Sequence, residues 1–228
     1  MDQVDLLSVL TLGFVLGIKH AMEPDHVIAV STIVCQSKKL WRSSLAGVFW
    51  GIGHTSTLLI FGMTIILMKK KISQEWSMSL EFLVGIILVY FGISAILSLK
   101  KTHEHSHSRL HLHTDHPIYT YKGIPYVKSL FIGIIHGLAG SAAMVLLTMS
   151  TVEKAWEGLL YILFFGAGTV LGMLCFTTLI GIPFTLSARK IRIHNAFIQI
   201  TGFISTVFGI HYMYNLGVTE GLFKLWIR

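Results

Sequence analysis

Long apolar stretches recur from one end of this chain to the other, and that single feature removes most folds from consideration. A hydrocarbon core about 30 Å thick needs about 20 helical residues to cross it. Six stretches meet that length: roughly 5–35, 43–68, 78–99, 127–150, 155–183 and 192–217. The chain is 53% hydrophobic and only 13% charged, with a mean hydropathy of +0.69, whereas a soluble domain carries about 25% charged residues. No water is present in hydrocarbon to satisfy the backbone, so each crossing segment must pair its own amides, as a helix does. The expected fold is an all-α integral membrane protein with six transmembrane helices. The N-terminus, MDQVDLL, lacks the basic region of a cleavable leader. Cys35 and Cys175 both lie in apolar surroundings and suggest no disulfide framework. The net charge of +7 sits at span ends, which argues against a nucleic-acid partner.

Those flanking charges set an orientation. Lys38, Lys39, Arg42, Lys100, Lys101, Arg109, Lys122, Lys128, Arg189, Lys190 and Arg192 fall on one side of the six spans. Lys69, Lys70, Lys71, Lys154, Lys224 and Arg228 fall on the other. The richer side is the cytoplasmic one. This places a multi-pass protein in the cytoplasmic membrane with both termini outside and the 100–126 loop inside.

The chain also repeats itself. LGIKHAMEPDHVIAVSTI (16–33) aligns with IGIIHGLAGSAAMVLLTM (132–149), FWGIGHT (49–55) with FFGAGTV (164–170), and VGIILVYFGI (84–93) with TGFISTVFGI (201–210). The offsets are 116, 115 and 117. Three matches in order at nearly one spacing divide the chain into a first three-helix repeat (1–99), a connecting loop (100–126) and a second repeat (127–228). Three is odd, so the halves are expected to be inverted in the membrane, an architecture that puts substrate near the midplane.

One stretch violates the apolar pattern. KHAMEPDH (19–26) sets two histidines, two carboxylates, a lysine and a proline inside the first span. Pro24 has no N–H, so the carbonyl of His20 loses its helical partner. On a straight helix, at ~100° per residue, His20, Asp25 and His26 diverge; a break at Glu23–Pro24 turns them toward one cavity. Imidazole nitrogen with carboxylate oxygen suits borderline divalent ions such as Ni²⁺, Co²⁺, Zn²⁺ or Cu²⁺. His54, in GIGHT, and His136, the repeat mate of His20, are further candidate ligands. A single intramembrane histidine is commonly a hydrogen-bonding partner between helices. Four of them with an aspartate at repeat-related places point to a site.

These residues resemble the nickel/cobalt transporter (NiCoT) family. HAMEPDH matches that family's signature of His, four residues, then Asp-His, and GHTST its second motif. HAMEPDHVIAVSTIV with HGLAGSAA resembles the short, urease-associated UreH-type branch. The resemblance covers essentially the whole chain. It implies a permease whose metal-handling positions are His20, Asp25, His26 and His54, with Ni²⁺ or Co²⁺ as transported substrate and no tightly bound cofactor. It further implies inward transport for supply of nickel enzymes such as urease, through cytosolic nickel chaperones. The family's second-half acidic motifs are replaced here by Ser141 and Thr169, which leaves hydroxyls as the polar contacts of that half.

The loop segment HEHSHSRLHLHTDH (103–116) holds six of the twelve histidines, His103, His105, His107, His111, His113 and His116. Such alternation is a compositional signal for exchangeable metal binding, useful for delivering imported metal or for capturing metal to be exported. Efflux is therefore the alternative reading. A membrane thiol–disulfide carrier, also built from repeated three-span halves, needs cysteines at repeat-equivalent places, and Cys35 and Cys175 are not so placed. A membrane metallohydrolase offers only Glu23 as a base. Neither rival accounts for the histidine loop, so the expectation is a transporter and no enzyme.

Overall fold

The computed structural model describes residues 3–35, 37, 39–68, 73–104, 126–151 and 154–227; the side chains of 3–5, 100–104 and 140–151 lie outside that description. The described residues are helical almost throughout, with no strand among them. In chain order the helices are α1 (Gln3–His20), α2 (Pro24–Val34), α3 (Leu40–Met68), α4 (Gln74–Glu104), α5 (Tyr126–Thr151), α6 (Ala155–Ser187) and α7 (Ile191–Tyr214). A π-turn at Asn215–Thr219 and a short α8 (Leu222–Trp226) follow.

Four of these are long and apolar enough to cross a bilayer: α3, α4 over Gln74–Leu99, α6, and α7 with its π-turn. A fifth crossing forms if Leu6–His20 and Pro24–Val34, bent by 54°, count as one span. The sequence predicts six. In α5 the described apolar part is Tyr126–Ala139, so its full width lies partly outside the described side chains. The outer surface fits lipid rather than water, with Leu7, Leu12 and Val15 of α1 and Phe203, Val207 and Ile210 of α7 exposed. The helices are apolar nearly all round, as membrane spans are.

Without water to drive helices together, close backbone approach at small residues supplies the packing. α3 lies against α5 and α6, α6 lies against α1 and α3, and α4 lies along α7. Contacts among α1, α3 and α4, and among α5, α6 and α7, are sparse by comparison. The crossings are made by glycine. A Cβ on Gly17 would fall on the Phe165 carbonyl, and one on Gly133 on the Trp50 carbonyl. Gly53 faces the Leu130 carbonyl as Gly168 faces that of Phe14. At the α4–α7 crossing Gly202 meets the Gly92 carbonyl and Gly209 the Gly85 carbonyl. There the Ser205 hydroxyl donates to the Leu88 carbonyl at 2.8 Å. Trp50, Tyr161 and Phe165 fill the centre and are fully buried.

Candidate metal centre

The first span breaks where the proline predicts. α1 ends at His20, and α2 starts with Pro24 in its first helical position, where the missing N–H costs no helical bond. Glu23 takes the N-cap position in an extended conformation, φ −60° and ψ 142°. The His20 carbonyl that Pro24 cannot serve accepts the Glu23 N–H at 3.0 Å, and the Lys19 carbonyl accepts the Met22 N–H at 2.9 Å. The break is therefore a tight, internally paired turn, a form of irregular backbone that membrane depth tolerates.

The turn brings together what a straight helix would keep apart. The His20 and His26 rings lie 4.6 Å apart, centre to centre. α3 contributes His54, whose Nε2 is 3.1 Å from His20 Nε2 and whose ring centre is 5.2 Å from that of His26. α5 contributes His136, 5.2 Å from His26 between ring centres, with its Nε2 4.0 Å from Asp25 Oδ2. Asp25 Oδ1 approaches His26 Nδ1 to 3.2 Å, and Glu23 Oε2 approaches His20 Nδ1 to 3.0 Å. One ligand atom each from His20, His26 and His54 can be chosen so that all lie within 4.8 Å of one another. The five sequence candidates His20, Asp25, His26, His54 and His136 thus occupy one cluster.

The cluster is buried, and its nitrogens are short of partners. His26, His54 and His136 are buried. Neither ring nitrogen of His26 or His136, nor Nδ1 of His54, has a hydrogen-bond partner among the described residues. Each unsatisfied buried polar atom costs about 1–3 kcal/mol, and several in one place call for an explanation outside ordinary packing. Nitrogen donors with an adjacent carboxylate make a ligand set for a borderline divalent cation. The positive end of α2 opposes a cation there, and Asp25 in its first turn offsets that field.

Two wall residues escape sequence reasoning. Trp50 packs its ring 4.9 Å from His136 and 6.3 Å from His26, and Phe165 of α6 lies 5.4 Å from His20. Trp50 stands one helical turn before His54, so the i, i+4 relation on α3 was the available signal. Of the two second-half hydroxyls, that of Thr169 does not join the cluster. Thr169 turns its hydroxyl to the carbonyls of Phe165 at 3.0 Å and Gly17 at 3.3 Å. The Ser141 side chain, and the side chains of His103, His105, His107, His111, His113 and His116, lie outside the described residues.

Comparison with known proteins places the chain. Across all 228 residues it is 99% identical to the urease accessory protein UreH of Bacillus sp. (strain TB-90), covering the whole of that protein. The chain belongs to the UreH family. A family model described as the cytochrome c biogenesis protein transmembrane region matches residues 77–211, more than half the chain, so the UreH fold falls within that membrane family too. The chloroplast protein FOR GROWTH AND FERTILITY 1 of Arabidopsis thaliana is 28% identical over 183 residues, 74% of this chain and 48% of its own length. A putative nickel/cobalt efflux system of Methanocaldococcus jannaschii is 26% identical over 176 residues, 75% of this chain and 74% of its own. No solved structure matches the chain.

Proposed function

We propose that this UreH-family protein is a secondary transporter that moves Ni²⁺, and Co²⁺ with it, across the cytoplasmic membrane, inward for the supply of urease. The observation that carries the reading is the convergence of His20, His26 and His54 with Asp25 at a break inside an apolar bundle. The names of the bacterial and archaeal relatives, one a urease accessory protein and one a putative nickel/cobalt efflux system, agree with it. His20, Asp25, His26 and His54 hold the ion, and His136 completes the far wall. Neutral imidazoles bind borderline ions firmly enough to strip water, yet exchange them without covalent chemistry.

The architecture of the reading is two inverted three-helix repeats, α1–α4 and α5–α7, with the site between them. The paired crossings support it. Gly17 on Phe165 and Gly133 on Trp50 are the same contact made twice, since Gly133 follows Gly17 by 116 residues and Phe165 follows Trp50 by 115. The Gly53–Leu130 and Gly168–Phe14 pair repeats the relation. Both termini lie outside, and the histidine loop hands metal to cytosolic nickel chaperones.

Inward movement needs no ATP. With the interior negative, a divalent cation gains about 4.6 kcal/mol per 100 mV, twice the single-charge value. The thiol–disulfide reading finds no support in the matched membrane region, because residues 77–211 contain one cysteine, Cys175. The test is ⁶³Ni uptake by cells and by membrane vesicles of both orientations. His20→Ala, Asp25→Ala and His26→Ala are each expected to abolish uptake at normal membrane levels. Near-normal uptake in any two removes the site, and accumulation only in inverted vesicles reverses the direction to efflux.

A further inference from the structure

Glu23 is left over by that account, and its placement is unusual. It occupies the N-cap of α2, yet makes no side-chain capping bond. Its carboxylate turns back instead to His20, while half of the side chain stays exposed, at 52%. One carboxylate oxygen of Glu23, one of Asp25 and a ring nitrogen of His26 lie mutually within 4.8 Å. His26 is buried beneath them, and neither of its ring nitrogens has a hydrogen-bond partner among the described residues. Its Nδ1 lies 3.2 Å from Asp25 Oδ1, an ion pair when the ring is protonated, and its Nε2 faces no such group among the described residues. His26 is also one of three imidazoles, with His20 and His54, whose ligand atoms lie mutually within 4.8 Å, His26 and His54 buried and His20 partly so. One residue therefore belongs to two ligand sets, one rich in oxygen and open, the other all nitrogen and closed.

Charge supplies the reason for two sets. A divalent ion among three neutral imidazoles leaves two uncompensated positive charges at membrane depth, where unpaired charge is costly. Asp25 cancels one. Among the described residues Glu23 is the other carboxylate within reach, so the loaded cluster becomes neutral with Glu23 included. Hard oxygen ligands also accept a cation that still carries water, whereas the nitrogen trio selects for borderline ions.

We infer that Glu23, Asp25 and His26 form an outer cation station, which receives a partly hydrated divalent ion and passes it, through the shared His26, to the inner trio of His20, His26 and His54. The inference rests on the transport reading and adds a second binding position to it. Glu23 alternates between the two: with the outer station filled it binds the ion, and with the ion passed inward it returns to His20 Nδ1, leaving His20 Nε2 as the ligand atom. A hard cation that prefers oxygen should load the first station and stop there.

The experiment uses the purified full-length protein with Mn²⁺, followed by its EPR signal, and with Co²⁺, followed by its visible absorption. Glu23→Gln is expected to weaken Mn²⁺ binding by at least about tenfold, the lower end of the loss seen even for an outer-shell partner. Glu23→Asp should recover most of it, and the Co²⁺ band of a nitrogen site should persist in Glu23→Gln. His54→Ala should do the reverse, losing the Co²⁺ band and ⁶³Ni uptake while binding Mn²⁺ as the unaltered protein does. Unchanged Mn²⁺ binding in Glu23→Gln, or equal loss of Mn²⁺ in His54→Ala, overturns the outer station while leaving transport intact. If Glu23→Gln loses both ions, recovery in Glu23→Asp supports the station and its failure overturns it. Absence of ⁶³Ni uptake by the unaltered protein removes the transport reading itself, whereas normal uptake by His54→Ala removes the inner station and the hand-over with it.

Discussion

The α1–α2 segment and α5 share a pattern of residues in the sequence, and their backbones differ in whether the helix breaks. LGIKHAMEPDH breaks into α1 and α2 with a 54° bend, whereas IGIIHGLAGSA continues as one helix from Tyr126 to Thr151. At the positions of Glu23, Pro24, Asp25 and His26 the second copy has Ala139, Gly140, Ser141 and Ala142. Glycine lowers helix propensity but keeps its N–H, and a helix absorbs that loss when its neighbours pack well. Proline removes the N–H outright. The break thus belongs to Pro24 rather than to the position, and the candidate ligands accompany the break. Only His20 has kept its counterpart, His136, which meets the cluster from the opposite side.

The largest effect is expected from making the two segments alike. Pro24→Ala restores an N–H to the first segment and lets α1 and α2 straighten, so His20 and His26 diverge. Uptake of ⁶³Ni should fall to background in protein that still inserts at normal levels; substantial uptake would show that convergence does not depend on the proline. Next in size are the matched crossings. Gly17→Ala and Gly133→Ala each press a methyl onto a backbone carbonyl, and should each cost about 1–3 kcal/mol of stability. Unfolding in mixed detergent measures this, and unequal losses would break the equivalence of the two contacts. His136→Ala should then raise the KM for Ni²⁺ uptake about tenfold, as loss of an orienting or distal ligand does, without abolishing turnover. A complete loss would promote His136 to equal rank with His20. The smallest effect belongs to the loop. Replacing His103, His105, His107, His111, His113 and His116 with alanine should lower accumulation at scarce metal by a few fold and leave the maximal rate intact. Mass action gives the reason: a flexible histidine cluster raises local metal concentration only while metal is limiting.

Much of this was legible from residues alone. Hydrocarbon thickness fixed the span lengths, and predicted spans such as 43–68 and 155–183 match α3 and α6 closely. The Pro24 break was legible because proline acts locally, through one absent hydrogen. His54 and His136 were candidates by composition and repetition, but their distances from His20 and His26 depend on how four helices cross, which local pattern does not encode. Thr169 shows the limit. Its repeat position matches His54, yet its hydroxyl is taken by carbonyls on its own helix and on α1, a choice set by the Gly17 crossing. In the sequence Trp50 and Phe165 carry no sign of a site, since an aromatic wall is visible only once the rings it encloses are in place. The π-turn at Asn215–Thr219 left no signal in periodicity.

The interleaving of the halves bears on how such a chain comes into being. α1 finds its main partner in α6, and α3 in α5 and α6, so the dense contacts join segments made early in translation to segments made late. A nascent chain that has delivered only residues 1–99 to the membrane holds its glycine faces against lipid, with no backbone to meet them. Its helices gain their partners only as the second half is made: α5 and α6 close on α3, α6 on α1, and α7 on α4. The dense crossings thus form late in synthesis, and a truncated product presents the same bare faces to the proteases that clear unfinished membrane proteins. The glycines that hold the finished bundle together are, until that moment, the mark of an incomplete one.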